Sequence, residues 1–161
     1  MQRGNGELME LRAIRLRPSA DAEPRFLLYH RQPVSSRLLF VRHASGSVLT
    51  PRPLPFLSTP IEEDAPDQKI DLLQQITLGM QLNVALDFEP GMLLVEREFL
   101  RRAEIPRALV NVHLARFTTL DPPHEEVQYK GGKFCSITDL QGGHPVEMAM
   151  LRWAYQFLLG N

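Results

Sequence analysis

The chain has 161 residues, 43% hydrophobic and 23% charged, which suits one globular domain spanning residues 1–161 and excludes a disordered or fibrous chain. Its 18 Lys and Arg against 19 Asp and Glu give a net charge of -1, excluding the overall basic excess by which a protein holds nucleic acid through its phosphates. The single cysteine, Cys135, excludes an internal disulfide and a cysteine-rich zinc site; a polar start and the lack of a long apolar run predict a cytoplasmic setting with neither export nor a membrane span.

Glu7 to Arg17 partly alternates apolar and arginine positions, which predicts a first half-buried strand. Pro18 to Pro24 reads as a loop. The apolar runs Phe26 to Tyr29 and Leu38 to Val41, split by Pro33, Ser35 and Ser36, read as a hairpin. Ser45-Gly46-Ser47 marks a turn and Val48-Leu49 a short strand, after which Pro51, Pro53, Pro55 and Pro60 forbid regular structure. Pro66, with Asp67 and Asp71 suited to the positive end of a helix dipole, predicts a helix start. Ile70, Leu73, Ile76 or Thr77 and Met80 then supply the apolar stripe by which such a helix meets a core, with its end around Gly79.

Met92 to Val95 reads as a strand, and the charged stretch Glu96 to Arg102, with Arg107, as a solvated loop or helix face. Ala108 to Thr119 reads as a longer strand with Val110, Val112 and Leu114 on one face and Asn111, His113, Ala115 and Phe117 on the other. Pro122 to Gly132 reads as a polar loop, and Lys133 to Ile137 as the last strand, with Cys135 a packing residue inside it. His144-Pro145 opens a helix to Leu159, closed by Gly160, whose polar residues Glu147, Arg152 and Gln156 form one narrow stripe. Trp153, Tyr155 and Phe157 are expected to pack that helix on the sheet.

Three segments resemble the Nudix family. Leu38 to Pro51 is similar to its strand, arginine-bearing turn and short strand leading to Pro-Gly-Gly; Leu72 to Val84 is similar to the end of the Nudix box; Phe134 to Leu140 and the helix after it resemble the usual ending. The resemblance implies an α/β (α+β) fold, an α/β/α sandwich with a mixed sheet and a C-terminal helix, in which the central helix packs between two sheets.

The Nudix box runs Gly, five residues, Glu, seven residues, then Arg-Glu-apolar-any-Glu-Glu-any-Gly-apolar, and its glutamates hold Mg²⁺ against a diphosphate. With Gly79 at the last glycine, Ser58 takes the first glycine, Asp64 the first glutamate and Leu72 the arginine, while Leu73, Ile76 and Thr77 take the three later glutamates. A shift of one residue either way puts Gln74 or Gln75 at one of the later glutamate positions, and an amide lacks the charge. Pro51-Arg52-Pro53 stands where Pro-Gly-Gly is expected. The resemblance therefore implies a pseudo-enzyme that binds a nucleotide-like small molecule or a protein partner, with Arg42, Arg52 and Asp64 as ligand contacts and no cofactor. The apolar C-terminal helix leaves a homodimer open.

Two readings compete. Glu62, Asp64, Glu125 and Glu126 would rebuild a Mg²⁺ site in a divergent pyrophosphohydrolase; against it stands a solvated acidic loop. Arg42-His43 at a strand end resembles the Arg-His-Gly of histidine phosphatases, in which the histidine is phosphorylated. Against that, other strands come first, and neither His113 nor His144 carries the second motif. His124 beside Glu125 is available as an acid/base group.

Overall fold

The computed structural model describes residues 22–62 and 68–160. The first strand predicted at residues 7–17, and Asp64, Pro66 and Asp67, lie outside them. The expected hairpin forms from β1 (Arg25–Arg31) and β2 (Leu38–Arg42), with Tyr29 opposite Phe40. β1 is buried at six successive positions because both faces of the sheet are covered: Leu27 and Tyr29 serve one core, Phe26 and Leu28 the other. β3 (Leu49–Thr50) continues alongside β1 after the turn that ends β2.

The later strands are β4 (Thr59–Pro60), which forms at the sheet edge although Pro60 was expected to forbid regular structure, β5 (Leu93–Ile105), β6 (Ala108–Phe117) and β7 (Lys133–Cys135). Among the described residues they form one mixed sheet in the order β4-β5-β6-β1-β2-β7, with β3 paired to β1. Only β1 and β6 run parallel, with Phe26 beside His113 and Tyr29 beside Arg116. The predicted alternation along β6 holds: Val110, Val112 and Leu114 join one core, Ala115 and Phe117 the other.

Helix α1 (Leu72–Ala85) covers one face through Leu82 and the half-buried Leu78, with Leu86 just past its end, and α3 (Pro145–Leu159) covers the other through Val146, Met150, Leu151, Ala154 and Leu158. The fold is mixed α/β, with a curled mixed sheet and a C-terminal helix. Among the described residues α1 packs on one face of a single sheet, not between two, because the parallel pairing of β1 with β6 joins their strands. Among the described residues no helix is long and apolar enough to cross a membrane.

Several expectations are corrected. α1 starts at a capping box, later than Pro66: the Asp71 carboxylate accepts from Gln74 N at 2.7 Å and the Gln74 side chain accepts from Asp71 N at 3.0 Å. It continues through Gly79 to Ala85, because Gly79 lies on the buried side, facing the Leu93 carbonyl. Of the stripe expected to face the core, Ile70 is buried just ahead of the helix, whereas the helical positions point outward, with Leu73 73% exposed, Ile76 50% and Met80 66%. Toward β5 the helix turns polar groups instead. Gln75 Nε2 donates to Val95 O at 2.8 Å; Asn83 donates to Leu93 O at 3.1 Å and accepts from Leu93 N at 3.0 Å. Short β4 pairs β5 only near Ala103 and Glu104, so the first part of β5 has an open edge whose backbone groups need partners, and α1 supplies them.

The charged stretch is strand, not loop. Between Val95, opposite Ala115, and Leu100, opposite His113, β5 bulges, and this interrupts the alternation that marks a strand in sequence. The loop expected at 122–132 contains a short helix, α2 (His124–Tyr129), with Glu125 and Glu126 in its first turn. β7 stops at the buried Cys135 and a 3-10 turn follows at Ile137–Leu140. Glu147 is buried, not on a solvated stripe: its carboxylate accepts from Ser47 Oγ at 2.8 Å and Val48 N at 3.0 Å, tying α3 to the turn before β3.

Candidate functional site

A cleft of about 380 Å³ opens between the first half of α1 and the sheet. Leu73, Gln74, Thr77 and Leu78 form its helical wall, preceded by Lys69 and Ile70. Leu100, Asn111 and His113 form its floor, and Pro24, where the chain enters β1, closes one end. Leu73 and Thr77 are two of the three positions that the box register gives to later glutamates. α1 contains no charged residue, so it offers none of the carboxylate oxygens that Mg²⁺ requires; the helix does not fit the metal. Among the described residues no group of three or more His, Cys, Asp or Glu is placed to hold a metal ion.

His113 is the residue that sequence reasoning passed over. It is 2% exposed, lies against the Phe26 ring at 5.3 Å with 29° between planes, and its Nδ1 has no hydrogen-bond partner among the described residues. Burial pushes its pKa down to about 4, so the imidazole is neutral at neutral pH. Buried polar atoms are ordinarily paired, and an unpaired one in the wall of a cleft is a place for a ligand hydrogen bond. The available signal was a histidine among the inward positions of an alternating strand.

The residues proposed from sequence lie elsewhere. Arg42 ends β2 and its Nε donates to Gly46 O at 3.3 Å, closing its own turn. Arg52 is exposed and pairs with Glu23 at 3.8 Å. Neither lines the cleft. Asp64 lies outside the described residues; Glu62 is exposed beyond β4, and Glu125 and Glu126 are exposed on α2. His43 borders a cavity of only about 50 Å³ with Val41, Phe88 and Val127, and burial pushes its pKa down to about 4. Past the cleft, the exposed Ile76, Met80 and Val84 and the partly exposed Leu94 border an apolar groove of about 260 Å³. No known family model matches this chain, and no curated protein sequence matches it.

Proposed function

We propose that this chain is a non-catalytic, Nudix-like binding domain that holds a nucleotide-like small molecule in the cleft beside α1. One observation carries the reading: Leu73 and Thr77, at the register positions of two of the three later glutamates, line this cleft and are solvent-exposed. Such a face gains by burial against a ligand but supplies no charge to hold a cation or activate a water. Gln74, Thr77, Asn111 and His113 add neutral donors and acceptors, a set suited to the hydrogen-bonding edges of a base, with Lys69 the one cation among the lining residues. Thermal unfolding with a panel of nucleosides and nucleoside monophosphates tests this. At least one should raise Tm, and the gain should vanish in Asn111→Ala and in His113→Phe; a panel without any shift would remove the small-molecule reading.

A second reading, a homodimer, is favoured by the outward stripe of Ile76, Met80 and Val84 on a helix without charge, which a second copy can meet without like-charge repulsion. Sedimentation should then show a dimer that Met80→Glu with Val84→Glu dissociates; a monomer at all concentrations removes this reading.

A further inference from the structure

On the opposite face of the sheet, at the C-terminal end of α3, lies a recess of about 370 Å³. The topology assembles charged groups there. Parallel pairing sets Tyr29 beside Arg116, and both side chains turn to the α3 face, Tyr29 in the same core as Leu114. Val95 serves the α1 face, so Glu96, where the bulge begins, turns the other way and meets Tyr29: the phenol donates to Glu96 Oε1 at 2.5 Å. Arg116 Nε lies 3.8 Å from the same oxygen. Arg31, two residues beyond Tyr29 on the same face, donates through Nη2 to the Leu158 carbonyl, at the negative end of the α3 dipole. Phe157, braced edge-on by Phe99 at 5.6 Å, forms an apolar wall.

Two guanidinium groups against one carboxylate leave the recess one net positive charge. Burial first, then the bond to Glu96, holds the Tyr29 phenol well above its ordinary pKa, so Tyr29 remains a donor and fixes Glu96 as its acceptor. Each guanidinium has five N–H donors; Arg31 spends one on Leu158, and Arg116 has only its long contact with Glu96 among the described residues. A volume of this size matches the lower range of small-molecule sites.

We propose that this recess binds a small organic monocarboxylate, whose oxygens take the remaining N–H groups of Arg31 and Arg116 and whose planar apolar body lies against Phe157. Glu96 sets the charge selectivity: a monoanion brings the recess to neutrality, whereas a dianion leaves it with a net negative charge beside Glu96 in a half-buried site, so a dianion is disfavoured. The groups stand on strands and a helix end, which hold them in place before any ligand arrives. The site is on the other face of the sheet from the cleft and does not rest on the reading given to that cleft.

Titration of the full chain with benzoate and with phenyl phosphate, followed by amide NMR and calorimetry, tests the assignment. Benzoate should bind saturably, with a Kd of millimolar or tighter, and more weakly as salt is raised. Phenyl phosphate, kept dianionic above its second pKa of about 6, should bind at least about tenfold more weakly. Arg116→Gln, on a half-exposed side chain, and Arg31→Lys, which keeps a cation at the end of α3, should each weaken benzoate about tenfold while Tm shows the fold retained. Glu96→Gln should bring phenyl phosphate up to the affinity of benzoate. The assignment is overturned if the wild-type chain gives no saturable benzoate binding, if folded Arg116→Gln and Arg31→Lys bind it unchanged, or if phenyl phosphate binds the wild-type chain more tightly than benzoate.

Discussion

Asn83 is a polar side chain at the centre of a helix–sheet contact, and its three hydrogen bonds, to Gly79 O and to both backbone groups of Leu93, are all buried. Asn83→Ala leaves the Leu93 N–H and C=O without these partners, so it should cost about 2–3 kcal/mol, read from urea unfolding; an unchanged midpoint would mean that the edge of β5 is satisfied some other way. His113 makes stability depend on pH. Its folded pKa of about 4 lies below the ordinary 6.5, so both states are neutral above that value and the group contributes no slope there. As pH falls from 6.5 toward 4, the unfolded chain takes up a proton that the folded protein refuses, and stability falls by at most about 3 kcal/mol. His43 acts in the same window and direction. Urea midpoints should therefore decline across this range, and less steeply in His113→Phe; a flat profile contradicts the burial of a neutral imidazole. The side of the strand on which His113 lies was legible from alternation, but its role was not, because the wall facing it belongs to a helix distant in sequence.

At the scale of elements, α1 and α3 differ in how plainly the sequence describes them. The ends of α3 follow from local chemistry, Pro145 in its first turn and Gly160 after its last. The face of α1 does not, because the open edge of β5 decides it and that edge is set by the length of β4. Apolar periodicity alone points Leu73, Ile76 and Met80 inward; hydrogen bonding turns Gln75, Gly79 and Asn83 inward instead. The contrast predicts a pair of outcomes. Leu82→Ala, at a buried position, should cost about 2–5 kcal/mol, whereas Met80→Glu with Val84→Glu should change the stability of the monomer by no more than about 0.5 kcal/mol per site. Equal losses in both, by urea unfolding, would place Met80 and Val84 in the core.

For the whole molecule, the order of strands, central helix, strands and terminal helix was legible because each segment carries its own period or boundary signals. The bulge in β5 was not, since it replaces alternation with a run of charge, and with it went the meeting of Glu96, Tyr29 and Arg116 on the α3 face. Nor was the cleft, which needs α1, β5, β6 and the entry to β1 together. The proposal that this assembly binds without catalysing rests on an α1 without carboxylates. Turnover over a panel of nucleoside diphosphates and their conjugates, with magnesium and without it, tests that claim most directly. Release no faster than in the protein-free control is expected under either condition; magnesium-dependent hydrolysis that Asp64→Ala abolishes would contradict a non-catalytic role.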